Sequence, residues 1–322
     1  MIPKLTSERG NISTTKTEVT AYFVFEDKTT LRHEFKKLTE VFPSAAVTLD
    51  ATHFGGKELD TLTLYVKEKR KRKILLVGLG KNEKLTLEKL RRAAAAAKAA
   101  KSLKASSLAI IEPDTEVLGW LKLGEDWESI GSALAEGALL SMYKFDKYLS
   151  NEKKNGSTLQ RIVIVSDDVE RFRKISLGVQ YARVVCDATM VARDLANAPP
   201  NEIYPDSLSK RAREIVGKKV AATVFDERKI KQLKMGGVLA VAKGSDQPPR
   251  FIVLEYNRSK RKSPPVVLVG KGVTFDAGGI SIKPASGMSE MKSDMAGAAA
   301  VIAAMQAVAR LKLPLHIVAL VP

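Results

Sequence analysis

The sequence holds 322 residues, enough for two domains with cores of their own, and a content of 45% hydrophobic and 28% charged residues is typical of a soluble globular protein. Its single cysteine excludes an internal disulfide and a zinc site built from several cysteines, and its three histidines form no His-x-x-x-His zinc motif. The formal net charge of +17 permits binding to nucleic acid or to another acidic surface.

Two basic runs account for much of this charge, and they bear on partners. The stronger run is 67–73 and the weaker is 258–262; both precede predicted strands and neither contains interleaved aromatic residues. This pattern favours solvated, lysine-rich turns, and an electrostatic binding surface is the alternative. Residues 1–4 do not open a signal peptide and no uninterrupted run of eighteen apolar residues occurs, so we expect a cytoplasmic protein that does not enter a membrane.

The first half of the chain alternates predicted strands and helices. Strands are predicted at 19–25, 61–66, 74–77 and 107–111, and helices at 87–103, where Thr86 is available as an N-cap, and at 129–143. The polar stretch 147–157 indicates a linker. We therefore predict an N-terminal α/β domain over residues 1–155.

The second half, residues 156–322, alternates in the same way. Predicted strands are 161–166, 220–225, 238–242, 251–256, 266–269 and 315–321, and predicted helices are 169–195, 206–216, 228–233 and 296–311. Such alternation favours an α/β domain with a mostly parallel sheet and helices on both faces.

Four ionisable side chains, Lys271, Asp276, Lys283 and Asp294, lie in the glycine-rich segment 266–300. Lys271 follows a continuous apolar run that indicates a strand buried on both faces, and ligands of open α/β sheets bind at the carboxyl ends of such strands. One interpretation is two Lys–Asp ion pairs, with Asp294 capping the helix that follows. The other is a metal site, because carboxylate oxygens suit Mg²⁺, Mn²⁺ or Zn²⁺ and a lysine ligates if its amine is neutral. Spacing alone leaves both open.

The amino-acid sequence of this segment resembles that of a known family. GKGVTFDAGGISIKP, at 270–284, and MSEMKSDMAGAAAV, at 288–301, are similar to the first catalytic block of the leucyl aminopeptidase family, the M17 cytosol aminopeptidases. RDLANAPPN, at 193–201, is similar to the structural turn at the base of that family's catalytic domain. The resemblance continues from about residue 193 to 322.

The resemblance implies a role for each position. Lys271 would be an amine ligand of the tighter of two divalent metals, Asp276 would bridge both metals, and Asp294 would be a further ligand. Lys283 would stay cationic, bind substrate and polarise the scissile carbonyl. Met291 would line the pocket for the first side chain of the substrate; ordinary core packing is the alternative for this residue.

The implied chemistry is hydrolytic removal of an N-terminal residue, preferably leucine-like, from a peptide. Two metals, Mn²⁺ or Zn²⁺, lower the pKa of a bridging water and clamp the tetrahedral intermediate. Lys283 adds a positive charge where the oxyanion develops, an effect of about 3 kcal/mol per donor in other enzymes. The implied N-terminal domain serves assembly, and family members form homo-hexamers.

One feature of the family is absent from the sequence. The family carries a second catalytic block, N-T-D-A-E-G-R, which completes the metal shell and whose arginine helps hold a bicarbonate base; no such block occurs here. The predicted final strand would also leave an apolar sheet edge uncovered. We therefore expect a catalytically incomplete fragment of a longer protein. The alternatives are a non-catalytic nucleic-acid-binding protein and a structural subunit.

Overall fold

The computed structural model describes residues 2–50, 54–67, 71–95, 97–113, 126–150, 159–257 and 264–322. The chain divides into two compact units, Met1–Cys186 and Asp187–Pro322. Each unit has its own β-sheet and its own helices. The α/β fold class is thus confirmed.

The first unit is built on a six-stranded sheet in the order β1-β6-β5-β2-β4-β3. Five neighbouring strands run parallel, and only β3 runs antiparallel to its neighbour β4. Parallel strands covered by helices are apolar along their length, as the fully buried Leu108, Ile162 and Val163 illustrate. The strands are β1 (Lys4–Arg9), β2 (Val19–Val24), β3 (Thr61–Lys67), β4 (Lys71–Gly78), β5 (Ser107–Ile111) and β6 (Arg161–Ser166).

The helices of this unit begin at polar caps. Asp27, Thr86 and Asp126 each accept a hydrogen bond from the backbone N–H three residues later, which satisfies a donor that the first helical turn leaves free. The predicted Thr86 cap is therefore confirmed. The helices are α1 (Lys28–Val41), α2 (Ala46–Asp50), α3 (Leu87–Ala94), α4 (Ala97–Ser102), α5 (Trp127–Leu140) and α6 (Val169–Asn197), which crosses the boundary between the units.

The strand at 161–166 belongs to the first sheet. The sequence analysis placed it at the start of the second domain, but β6 pairs in parallel with both β1 and β5 in the first sheet. Residues 4–9, for which no strand was predicted, form β1 because the Lys4–Arg9 backbone pairs along the whole of β6. The predicted linker falls mostly on 151–158, outside the described residues.

The second unit carries a four-stranded sheet in the order β7-β8-β10-β9. Only β9 and β10 are parallel, whereas β8 runs antiparallel to both of its neighbours, so the sheet is mixed rather than mostly parallel as predicted. The connection from β8 to β9 explains this arrangement. It has nine residues and contains none of the helices described, whereas a crossover between parallel strands needs about a dozen residues or more, so β8 and β9 run in opposite directions. The strands are β7 (Val220–Phe225), β8 (Phe251–Tyr256), β9 (Val266–Val269) and β10 (Ile317–Val321).

The helices of this unit are α7 (Pro205–Val216), α8 (Glu227–Gln232), α9 (Gly236–Ala242) and α10 (Ala296–Leu311). The predicted strand at 238–242 is wrong, because these residues form α9; a short apolar run fits a helix as well as a strand. Helix α10 contacts β8, β9, β10 and α7. The stretch Met288–Leu311 is long and apolar enough to cross a membrane by composition, and that composition is equally typical of a core helix.

One face of the second sheet is the buried one. Ile252, Leu254, Ile317, Ala319 and Val321 are each less than 5% exposed, and their register places them on the same face. Strand β9 is different, since its valines are largely exposed and it forms the edge of the sheet. The predictions that β9 is buried on both faces and that β10 forms an uncovered edge are therefore wrong: β10 lies between β8 and β9.

Candidate metal and substrate site

Lys271 is held where the edge strand β9 meets the start of α10. Gly270 N donates to Leu320 O at 2.9 Å, which extends the pairing of β9 with β10, and Ala298 N donates to Lys271 O at 2.9 Å. A Cβ on Gly270 would lie 2.5 Å from Gly297 O, so the close approach of the loop to the helix requires glycine at 270. The backbone of Lys271 is thereby fixed at the carboxyl end of β9.

Asp294 meets Lys271 from the other side. It lies in a 3₁₀ helix, Met288–Met295, that leads directly into α10, and its Oδ1 is 2.7 Å from Lys271 Nζ. Its Oδ2 is buried and has no hydrogen-bond partner, which is uncommon for a carboxylate oxygen. The predicted helix cap is wrong, because Met295 occupies the N-cap position of α10 and no side chain caps it.

Asp276 and Lys283 close the loop between β9 and this 3₁₀ helix. Asp276 Oδ2 accepts from Lys283 Nζ at 2.8 Å and Oδ1 accepts from Gly278 N at 2.9 Å. Gly278, at φ +91°, provides the left-handed turn that brings Lys283 N within 2.9 Å of Ala277 O. The hydrogen bond from Lys283, then that from Gly278, holds the pKa of Asp276 below its ordinary value, and the nearby charge of Lys271 adds to the effect. Asp276 is thus firmly an anion.

Met291 completes the group of predicted site residues. Its Sδ lies 3.3 Å from Lys283 Nζ, so the thioether and the ammonium face the same space. The side chain is half-buried rather than part of the core. Ordinary core packing, the alternative interpretation of Met291, therefore does not describe its surroundings.

The two Lys–Asp ion pairs of the first interpretation are present. Both are solvated, since the exposed fractions are 58% for Lys271 and 20% for Asp294 in one pair and 36% and 37% in the other. Exposed pairs of this kind contribute only about 0–1 kcal/mol to stability. Stability alone therefore gives little reason to place these four side chains together.

The donor set also fits part of a metal centre. Asp276 is ionised, Asp294 presents a buried oxygen without a partner, and Lys271 can ligate once its amine is neutral. Within the described part of the chain no cluster of three or more histidine, cysteine, aspartate or glutamate side chains could hold a metal ion. Two carboxylates and an amine are fewer ligands than two divalent ions require, so further ligands must come from groups outside this set.

A cavity of about 530 Å³ lies on the other side of Lys271. Its walls come mainly from residues 205–208, 237–252 and 271–275, with Val321 and Pro322. Of the site residues predicted from sequence, only Lys271 lines this cavity.

Sequence reasoning missed the residues that fix the backbone of the site. Gly270 and Gly297 approach each other across the junction of β9 and α10, and Ala298 holds the carbonyl of Lys271. A signal for them existed, because Gly270 follows an apolar run directly and Gly297 opens an alanine-rich helix.

Comparison with known proteins follows the same division of the chain. Residues 190–322 match the family model described as "Cytosol aminopeptidase family, catalytic domain", and residues 23–152 match "Cytosol aminopeptidase family, N-terminal domain". The probable cytosol aminopeptidase of Azotobacter vinelandii is 41% identical over 271 residues, which are 83% of this chain and 53% of that protein. The cytosol aminopeptidase of Pseudomonas aeruginosa is 39% identical, with the same two shares. The chain spans about half the length of the curated relatives it matches.

Two solved structures are similar to the whole chain. A mutant of tomato leucine aminopeptidase has a TM-score of 0.77 and 27% identity, covering 99% of this chain and 62% of the tomato chain. The bottromycin maturation enzyme BotP in complex with Mn has a TM-score of 0.72 and 29% identity, covering 95% of this chain and 59% of BotP.

Proposed function

This chain belongs to the cytosol aminopeptidase family, and from that premise we propose that it carries part of the active site of a dinuclear metal-dependent aminopeptidase. The proposed reaction removes N-terminal residues, preferably leucine-like ones, from peptides. One observation carries the proposal: Lys271, Asp276, Lys283 and Asp294 converge at the end of β9, in the region that matches the family's catalytic domain. The expected incompleteness of this chain belongs to the same proposal.

Asp276, Asp294 and Lys271 are the residues that would hold the metal ions. Asp276 would be the ligand shared by the two ions, and its maintained negative charge supports this role. Asp294 and Lys271 would serve the tighter site, where Asp294 Oδ2 would gain the partner it lacks. When bound, divalent ions of this type acidify a water molecule and polarise a carbonyl.

Lys283 and Met291 are proposed to bind the substrate. The ammonium of Lys283 is fixed by Asp276 on one side and contacts Met291 Sδ on the other. A fixed positive charge stabilises a developing oxyanion without reorganising in the transition state. Met291 offers a flexible apolar surface for the aliphatic first side chain of the peptide.

The metal identity and the assembly belong to the proposal. BotP is solved in complex with Mn, which supports Mn²⁺, with Zn²⁺ as the other candidate. A bicarbonate base, a homo-hexamer and a cytoplasmic location are carried over from the family resemblance. Strands β9 and β10 cannot supply the remaining metal ligands themselves, since their residues are all apolar.

Metal content tests this assignment directly. We expect the full product of the gene, purified with Mn²⁺, to hold bound metal by mass spectrometry, and Asp276→Ala to lose most of it. Asp246→Ala is the matched control, because Asp246 is an exposed carboxylate in the same unit. Full metal occupancy in Asp276→Ala would remove the bridging role.

A further inference from the structure

The first unit holds a cavity of about 440 Å³ that the proposed peptidase site does not use. It lies at the carboxyl edge of the parallel sheet, lined by the segments that follow three strands: Gly10 to Ser13 after β1, Glu112 and Pro113 after β5, and Asp167 after β6. Tyr22 of β2 and one side of α1 complete the wall. The carboxyl edge is where open α/β sheets bind ligands.

Glu112 is the feature that sets this cavity apart. The residue is only 8% exposed although it lines the cavity, and its Oε2 is buried without a hydrogen-bond partner. Desolvation by this burial raises the pKa of Glu112 to about 7, against the opposing charge of Arg171. A buried carboxylate oxygen without a donor is costly, so it commonly marks a position where a ligand donates.

Arg171 does not satisfy this carboxyl group. Its Nη2 is 3.5 Å from Glu112 Oε1, whereas Asp167 lies closer at 3.1 Å and the ring of Trp127 lies 5.3 Å from the guanidinium carbon. The guanidinium is shared among several partners, and its contact with Glu112 is to Oε1, whereas Oε2 has no hydrogen-bond partner. Ser166 and the backbone of Asp167 also hydrogen-bond this carboxyl group, and Oε2 is the buried oxygen that could still accept a hydrogen bond from a ligand.

The charged and aliphatic side chains that line the cavity indicate which chemical groups its ligand would carry. The charged side chains that line the cavity are three anions, Glu40, Glu112 and Asp167, and two cations, Lys37 and Arg171. When Glu112 is ionised, above its pKa of about 7, this balance favours a positively charged guest. The apolar part of the wall is aliphatic, formed by Ile12, Leu38, Val41, Ile111 and Val165.

We propose that this cavity binds a small primary ammonium compound with an aliphatic body, whose N–H group donates to Glu112 Oε2 while the body packs against the aliphatic wall. The volume accommodates a molecule of amino-acid size. Two sources share this chemistry: simple alkylamines, and free aliphatic amino acids or their amides. The site lies within the N-terminal unit and does not depend on the peptidase assignment.

Calorimetric titration of 3-methylbutylamine into the full 322-residue chain tests the proposal. At about pH 8, above the pKa of Glu112, we expect saturable binding that Glu112→Gln weakens about tenfold or more, since a charge-assisted hydrogen bond is lost. Glu40→Gln is the matched control, because Glu40 is an exposed carboxylate on the same wall and its loss changes charge equally. We expect that control to bind within about threefold of the unsubstituted chain.

Two further measurements keep the result interpretable. Val41→Trp fills the mouth of the cavity from an exposed position and should abolish binding without touching the buried carboxyl group, even if Glu112→Gln folds poorly. Leucine, leucinamide and N-acetyl-leucine distinguish the sources. Tighter binding of leucine assigns the site to free amino acids, tighter binding of the amines assigns it to alkylamines, and N-acetyl-leucine should fail because it has no ammonium. The proposal is overturned if the unsubstituted chain does not bind millimolar amine, or if Glu112→Gln and Val41→Trp both bind it as tightly as the unsubstituted chain does.

Discussion

Lys283 makes two contacts in the candidate site, one with Asp276 and one with Met291. It donates to Asp276, which lowers the pKa of that carboxyl group, and its ammonium lies 3.3 Å from Met291 Sδ. Loss of Lys283 removes a donor from Asp276 but leaves Gly278 N still bonded to it. The carboxylate should therefore remain in place without the lysine.

We expect Lys283→Ala, in the full product of the gene, to keep its bound metal and to lose about a hundredfold or more in turnover. The physical reason is that the variant removes the charge proposed to stabilise the developing oxyanion and leaves the proposed metal ligands intact. Metal analysis beside kcat measurement checks both parts. Lys292→Ala, in the 3₁₀ helix that carries Met291, is the control. Loss of metal from Lys283→Ala would instead assign the residue to coordination.

Glu112 gives a prediction in pH that concerns only the first unit. Burial raises the pKa of Glu112 in the folded state from 4.5 to about 7, so the folded state binds this proton more tightly than the unfolded state does. The contribution of the protonated group to the free energy of unfolding is therefore complete below pH 4.5 and is lost as the pH rises through about 7. The glutamine in the Glu112→Gln variant cannot ionise. Between pH 4.5 and about 7, the free energy of unfolding of this variant should therefore fall by about 3 kcal/mol less than that of the unsubstituted chain. Urea unfolding followed by tryptophan fluorescence reports this unit, since both tryptophans precede residue 186. Equal slopes for Glu112→Gln and for the unsubstituted chain would contradict the burial account.

The sequence predicted the Lys–Asp ion pairs as one of two interpretations, but it did not predict the backbone contacts that position these side chains. The Lys–Asp pairing was one of two interpretations from residue type alone, and both pairs form. The burial of Glu112 was not foreseen, because a glutamate before a proline carries no sign of the cavity that the strand ends enclose. Burial depends on contacts between distant segments, which spacing does not report.

The junction of β9 and α10 is the element on which the site depends. Gly270 and Gly297 let the strand end pass against the first turn of the helix, and the Ala298 N–H locks the carbonyl of Lys271. Displacement of either element would separate Lys271 from Asp294, which approach from opposite sides of this junction.

We expect Gly270→Ala to lower the free energy of unfolding of the second unit by about 1–3 kcal/mol, because the added Cβ would overlap Gly297 O. Gly237→Ala is the control: no heavy atom lies within 4 Å of a Cβ there, and alanine favours helix α9. Thermal unfolding by circular dichroism compares the two. Equal melting temperatures for both variants would show that the junction accommodates a methyl group.

Elements with a clear period or cap were predictable, and elements decided by their neighbours were not. The strand at 107–111 and the cap at Thr86 follow from local sequence and are present. The run at 238–242 became a helix, and residues 4–9 became a strand only because β6 offers a partner. Strand β9 has the composition of a buried strand yet lies at an exposed edge, since edge position is a property of the sheet.

The whole molecule consists of two α/β units, and this is the fold class that the sequence predicted. The strand order of the first sheet places β6 beside β1, which joins residues about 150 positions apart in the sequence. The basic run at 258–262 and residues 68–70 of the other run lie outside the described residues. Their interpretation as solvated turns, and the alternative of nucleic-acid binding, therefore stay predictions.

Hydrolysis of leucine-p-nitroanilide with added Mn²⁺ or Zn²⁺ tests whether Asp276 serves a metal-dependent aminopeptidase. It is measured for the full product of the gene, for its Asp276→Ala variant and for the 322-residue chain. We expect metal-dependent hydrolysis by the full product, none by Asp276→Ala, and none by the chain of 322 residues, whose proposed ligands are only Lys271, Asp276 and Asp294. Activity that survives Asp276→Ala, or a full product that is inactive with either metal, would contradict this expectation.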